Sequence, residues 1–518
     1  MSKRLLVINA YILALIFTLL FYKQSLGFNL LIFEVILMIY WVWKLDGKIF
    51  SKPLRYIWFG TLLSALAIAY HGSYIARVTN ITSLFLLNGF LVTPYIKSIA
   101  QSFMPAAENL IYGPFKFIRS HSSLFVGGKV LSGISRYVKI GVIPFVIIFV
   151  FLGLYSGANS IFGEHVSGFF GRFEDIGELF NSLFSSGKFW VFILGLTFSG
   201  VFLFHHELIF GEPTKLDQSD DLKRIKRPNR YPRYFKMNAL KNELRSGVFL
   251  FAVLNVMLLV LNILDIRHVW FGFEWDQQYL KEFVHEGTYF LIFSILIAMV
   301  VVLFYFRKNL NFIKNIQLLK TLAIVWTAQN IFLALSVAMR NFWYIKYYNL
   351  AYLRIGVFFF LIVSIIGLVM IIRKIKEKRS SFFLVRKTSL AIYVALLGLS
   401  IMNWDGIIAK FNFSRYSEAF MHFDFMAKLS DKTLPLLDRT ETELATIQEY
   451  QYEYWEHIIG RHQYMHVNVY KDIIDDRIQQ FSMDYEQTHW LSKNWLTIQA
   501  HEDLVSKYGD FGEGNDLN

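Results

Sequence analysis

The stretch "IMNWDGIIAKFNFSRY", Ile401 to Tyr416, is where this chain changes character. Before it lie long apolar runs; after it comes a polar tail. With 55% hydrophobic and 18% aromatic residues over 518 positions, the part before the border has the composition of a membrane protein rather than of several soluble domains. The two sides also differ in charge. Residues 404–518 hold 20 acidic and 10 basic side chains, so an overall net charge of +13 leaves the preceding part at +23. No basic, aromatic-interleaved face of a soluble domain is present, which argues against nucleic acid as a partner. The absence of cysteine removes disulfides, thiolate metal sites and thiol nucleophiles.

Working back from the border, we looked for runs of about 20 mostly apolar residues, the length that crosses the hydrocarbon core. Eleven are expected: 5–22, 28–43, 54–70, 78–96, 138–155, 188–210, 246–265, 287–306, 321–340, 354–373 and 389–403. The first follows Ser2, Lys3 and Arg4 and has no small-residue cleavage site, so it reads as a retained span. Every even-numbered exit is basic: Lys44, Lys48, Lys52 and Arg55, then Lys116 and Arg119, then "KRIKRPNRYPRYFK" from Lys223, then Arg307 and Lys308, then "RKIKEKR" from Arg373. The opposite connections are short or carry Glu164, Glu174, Asp175, Glu178, Glu274 and Asp276. The positive-inside bias then puts the amino terminus in the cytoplasm and the tail outside it.

The expected fold is all-α: a polytopic helical membrane domain over 1–403, with about 11 transmembrane helices, and an acidic, mainly helical extracytoplasmic tail over 404–518. Residues 97–137 read as a cytoplasmic segment lying along the membrane. Phe162, Phe169, Phe170, Phe173, Ile176, Phe180 and Phe184 recur at helical intervals and predict an amphipathic helix on the outer surface. The tail's end, "GDFGEGNDLN", reads as disordered.

Four elements, in order, carry a family resemblance: "EFVHEGTYFLIFSILIAMVVV" (Glu282 to Val302), "LLKTLAIVWTAQNIFLALSVAMRNFWYIKYYNLAYLRIGVFF" (Leu318 to Phe359), "NWDGIIAKFNFSR" (Asn403 to Arg415) and "DFMAKLSDKTLPLL" (Asp424 to Leu437). With "HWLSKNWL" (His489 to Leu496), they resemble the multi-pass membrane proteins of the DUF4173/DUF4153-like family over roughly residues 240 to 500. The resemblance implies a bacterial inner-membrane protein and supplies no reaction, ligand or catalytic residue. Within it, Asn403 and Asp405 suit a helix start, while Lys410 and Arg415 reach lipid head groups or the bundle. The border thus reads either as an element docking the tail or as a plain cap and linker.

Glu34, in "FNLLIFEVILMIYW", is the sharpest candidate site, since a carboxylate at mid-span costs a few kcal/mol unless it is paired, protonated or wetted. The bland alternative is a protonated acid bonded to a neighbouring helix. Gln329 and Asn330, with Asn255 and Asn262, suit hydrogen bonds between helices, either as glue or as a polar site. Arg340 and Arg354 flank the outer stretch "NFWYIKYYNLAYL". With Tyr344, Tyr347 and Tyr348 they suit either an anion site or an aromatic belt with snorkelling arginines. His457, His462 and His466 are the nearest approach to a metal set; the last two are i,i+4, but the chain has no H-E-x-x-H. His205, His206 and Glu207 read as interfacial.

No phosphate-binding loop, dinucleotide fingerprint or nucleophile elbow occurs, and no cofactor and no catalytic residue are expected. Three functions stay open. The first is a non-enzymatic envelope sensor, scaffold or regulator whose tail meets an extracytoplasmic protein partner as well as membrane lipids. The second is a secondary transporter using Glu34. The third is a membrane enzyme acting on lipid-linked substrates.

Overall fold

The structure, a computed structural model, describes residues 3–45, 51–125, 148, 162, 187–205, 219–224, 233–271, 277–306, 309–459 and 464–509. Among these, every regular element is helical. The helices are α1 (Lys3–Phe21), α2 (Phe28–Leu45), α3 (Lys52–His71), α4 (Tyr74–Val92), α5 (Phe103–Phe125), α6 (Gly187–Leu203), α7 (Arg233–Asp265), α8 (Gln277–Tyr305), α9 (Gln317–Tyr348), α10 (Tyr352–Glu377) and α11 (Ser381–Ile401). A π-helical turn, Ile266–Phe271, prolongs α7. The expected span 138–155 and the expected outer amphipathic helix lie outside the described residues, apart from isolated positions.

Six helices, Lys3–Phe21, Tyr74–Val92, Leu240–Phe271, Gln317–Tyr348, Tyr352–Glu377 and Ser381–Ile401, are long and apolar enough to cross a membrane. Their surfaces agree with that role. On α1 the exposed face is Ile8, Ile12, Leu15 and Leu19, and on α7 it is Phe249, Val253, Val256, Val260 and Ile263. A soluble protein rarely leaves such stripes uncovered, whereas lipid covers them at no cost.

Two apolar cores organise the bundle. The first joins α1 to α6 with α11, through Phe33, Leu37, Trp41, Ile57, Phe90, Phe117 and Leu397; the second joins α7 to α11, through Phe251, Ile295, Trp326, Leu333 and Leu368. Local sequence sets the turns between them. Ser51 accepts from Leu54 N at the start of α3, Pro53 stands in that first turn, and Gly72, at φ +59°, ends the helix in the left-handed conformation. Ser73 then caps α4, so "HGS" reverses the chain almost at once.

Past the border, α12 (Trp404–Ser414) leads to the short helices α13 (Phe423–Met426) and α14 (Leu434–Leu437), then to α15 (Glu441–Ile459), α16 (Val467–Gln487) and α17 (Trp495–Tyr508). A third core holds them together: Ile408, Phe423, Met426, Leu434, Leu444, Tyr470, Ile474, Ile478 and Leu504, with Ile355 of α10 packed in.

This helical cap sits on one end of the bundle, at the turns after α1, α3 and α9 and at the end of α11. The antiparallel course of the helices sends the α2–α3 and α10–α11 junctions to the other end, with Lys44, Lys52, Arg55, Arg373, Lys376 and Arg379.

Candidate functional site

The joint between cap and bundle gathers buried ionic and polar groups from distant parts of the chain. Asn403 caps α12, its Oδ1 accepting from Gly406 N at 3.4 Å. This turn aims Asp405 inward, where Tyr352 OH donates to Oδ1 and Ser430 Oγ donates to Oδ2. Lys432 Nζ lies 2.9 Å from Oδ2, and the two side chains are only 6% and 11% exposed. Burial works against the charged carboxylate, but Lys432, Ser430 and Tyr352 together outweigh it and hold Asp405 below the usual aspartate range. Its oxygens are occupied by three donors. The group is therefore built as an ionised anchor rather than as a base free to take a proton.

Lys432 also donates to the carbonyl oxygen of His71 at 2.7 Å, at the last turn of α3. The His71 ring is oriented in turn by Ser400 O on α11 (3.0 Å) and Ser73 N (3.2 Å). One ammonium group thus ties the cap to α3, and the His71 ring links that turn to α11. Arg477 of α16 holds the same segment from behind, donating to the Ala427 and Leu429 carbonyls and pairing with Asp431.

Two further attachments flank the first. Asn412 exchanges amide bonds with Leu350, accepting from its N at 2.8 Å and donating to its O at 3.1 Å, while Phe420 N donates to Tyr347 O at 2.8 Å. Near the chain's end, the Trp490–Ser492 turn enters the α1–α2 connection. Ser25 N donates to Ser492 Oγ at 3.0 Å and Phe28 N to Lys493 O at 3.2 Å. Gly27 permits this approach, because a Cβ there would stand 2.3 Å from Lys493 O.

Inside the cap, Asp438 is the hub. Lys471 (3.0 Å), Lys507 (2.6 Å) and Tyr508 OH (2.6 Å) converge on its carboxylate, which is 1% exposed. Burial would raise this group, yet the hydrogen bonds from Lys507, Tyr508 and Lys471 bring it below the usual range. A carboxyl lowered by folding stabilises the fold above its unfolded value, about 3.9, and that contribution is lost as pH falls towards the lower folded value. The cap is therefore expected to lose stability below about pH 4, with Asp438→Asn weaker at neutral pH and flatter in acid. Circular dichroism melts across that range check this; parallel wild-type and D438N profiles would place the acid sensitivity elsewhere.

The other candidates are placed as follows. Glu34 is 1% exposed, inside the first core. Gln329 Nε2 donates to Asn255 Oδ1 (2.9 Å) and Asn262 Nδ2 to Gln329 O (3.3 Å), which ties α7 to α9, while Asn330 Nδ2 donates back to Trp326 O of its own helix (2.8 Å). Arg340 and Arg354 do not meet. Helix α9 runs on to Tyr348, well past the expected end at 340, and the outer stretch shrinks to a turn at 349–351. Arg340 instead points into the bundle and pairs with Asp265, the two side chains being 6% and 4% exposed. Arg354 lies 4.2 Å over the Tyr344 ring and donates to the Tyr348 and Asn349 carbonyls, while Tyr347 stacks on Trp343.

Lys410 is exposed; Arg415 pairs with Glu418 and donates to Lys346 O at 3.3 Å. His466 caps α16 and faces Gln448 Nε2 at 2.9 Å, beside a groove lined by Glu449, Tyr452 and Asn468. The side chains of His457, His462, His206 and Glu207 lie outside the described residues, and among those described no metal-ligating cluster occurs. His205 stacks on Trp41 at 5.3 Å.

Sequence reading picked out Asp405 but missed Lys432, Ser430 and His71, and it missed Asp265 and Asp438. The signal for the first pair was in plain view, since Asp405 and Lys432 stand in two of the elements that carry the resemblance.

Neither the curated proteins nor the solved structures contain a match to this chain. A family profile described as a domain of unknown function does match, over residues 7–440. It takes in the first core, which the resemblance from 240 onward had left out, and stops before the "HWLSKNWL" turn. The match spans most of the chain and includes both halves of the Asp405–Lys432 joint: the chain belongs to the DUF4153 family.

Proposed function

We propose that this chain is a non-enzymatic sensor or regulator of a bacterial envelope. In this reading it is an inner-membrane protein of 11 spans, with a cytoplasmic amino terminus and a helical extracytoplasmic cap. The observation that carries the reading is the latch at the joint, where Lys432 holds Asp405, α3 and, through His71, α11 together. A partner outside the membrane that engages the cap would act on bundle helices through this one buried contact. The basic residues at the bundle end away from the cap support the orientation.

The absence of native cysteine allows a direct test in intact cells with an impermeant maleimide. Single cysteines at Gln487 and Lys376 occupy exposed positions at opposite ends of the molecule. Gln487→Cys is expected to label without permeabilisation and Lys376→Cys only after it. The reverse pattern would put the cap in the cytoplasm and end the envelope reading.

A further inference from the structure

Glu34 lies in α2, buried against α3, α4 and α11. Neither of its carboxylate oxygens has a hydrogen-bond partner of normal geometry among the described residues. Asn80 is beside it, but that amide donates to Thr61 O (3.4 Å) and Ser64 Oγ (3.2 Å). An ionised carboxylate in such a place carries a desolvation penalty with no counter-charge among the described residues to offset it. A neutral acid needs a single acceptor, which the hydroxyls and carbonyls around it can supply.

The surroundings are not the same in both directions. Towards the cap runs a column of buried polar side chains: Ser64 on α3, Thr79 and Asn80 on α4, and then His71 and Ser400 at the joint. Ser64 Oγ donates to Thr61 O of its own helix at 2.9 Å, Thr79 Oγ1 reaches Ile75 O of its own helix (2.7 Å) and Leu396 O of α11 (3.5 Å), and on the side of Asn80 away from the cap Ser83 Oγ meets Tyr393 OH at 2.8 Å. Away from the cap, Leu37, Met38, Trp41, Leu54, Trp58, Leu87 and Leu91 line a small apolar void. That end is dry.

Among the ionisable groups of the helices packed around α2, Tyr393 of α11 is within electrostatic reach of Glu34. Tyr11 of α1 turns to Phe117 and His121, while Tyr74, Arg77, Lys52, Arg55, Tyr56 and Tyr70 are exposed. His71 stands at the joint, Lys44 lies over the Trp41 ring at the opposite end, and Lys493 lies over Tyr485.

We propose that Glu34 is a reversible proton-binding site, reached from the cap-facing end through the polar column and closed towards the other end by the apolar one. The site does not depend on which side of the membrane the cap occupies, so it stands or falls apart from the orientation proposed above.

The test uses the full-length protein in lipid nanodiscs. Infrared spectroscopy during a pH titration is expected to show a carboxylic-acid carbonyl band that disappears as the pH is raised. Above about pH 6, where ordinary carboxyls are ionised, the band should be missing in Glu34→Gln, which keeps the helical circular dichroism and melts no lower than wild type because it is a neutral isostere. In the Ser64→Ala/Thr79→Val variant the band should remain and its hydrogen–deuterium exchange should slow, a change that a purely structural Glu34 would not produce. Three results would overturn the proposal: a band that survives above about pH 6 in E34Q, a band that never titrates, or no band above that pH together with melting that rises in sodium or lithium chloride but not in choline chloride. The last would make the site one for an alkali cation.

Discussion

Lys432→Met is expected to destabilise the protein by about 3 to 5 kcal/mol, the usual cost of leaving one member of a buried ion pair without its partner. The loss should be local before it is global. With Lys432 gone, Asp405 keeps Tyr352 and Ser430 as donors but has no counter-charge, and the His71 carbonyl loses its ligand from the cap. Hydrogen exchange of 404–437 should therefore accelerate in full-length protein while α4 and α9 stay protected. The double variant Asp405→Asn/Lys432→Met should recover much of the loss, since it removes the stranded charge. Equal melting of wild type and K432M would show that the latch carries no load and would remove the main support for a regulatory cap.

A comparable effect is expected at Arg340. Arg340→Met strands Asp265 in the second core, where its carboxylate is almost fully enclosed, and a cost of about 3 to 5 kcal/mol applies again. Here the damage should reach the π-helical turn after α7. Trp270 Nε1 donates to Ser336 Oγ at 3.1 Å and Trp343 Nε1 to Val269 O at 2.9 Å, so two tryptophans pin that turn to α9. A fall in melting temperature with a shift in tryptophan emission is the expected pair of readouts, and Asp265→Asn/Arg340→Met should reverse most of both. If R340M leaves melting and emission unchanged, the pair is dispensable. Turns of this kind often mark functional sites, which makes the second core the next place to look if the first proves inert.

How much of this could be read from the sequence depends on how local each signal is. The helices show in the apolar runs, because their length and composition are properties of one segment. Asn403 could be read as a cap for the same reason. Glu34 announces itself as an acid in an apolar run, but its lack of partners depends on four helices that no single segment specifies. The Asp405–Lys432 contact joins residues too far apart for any helical period to relate, and the connection to His71 is longer still. Arg340 misled for a different reason. The fall in hydropathy after residue 340 sets it beside Arg354, yet α9 persists through its aromatic residues to Tyr348 and carries Arg340 inward to Asp265.

The contact between Ser25 and Ser492 spans 467 positions of sequence, and that separation imposes an order of assembly. At the usual pace of synthesis, about 5 to 20 residues per second, the α1–α2 hairpin waits roughly 20 to 90 seconds for the turn that closes on it. During that interval Gly27 and its neighbours present open backbone to whatever surrounds the nascent bundle. Any chaperone or protease that recognises this hairpin would be reading whether the rest of the chain has arrived, and seating of the Trp490–Ser492 turn would be the event that ends its access.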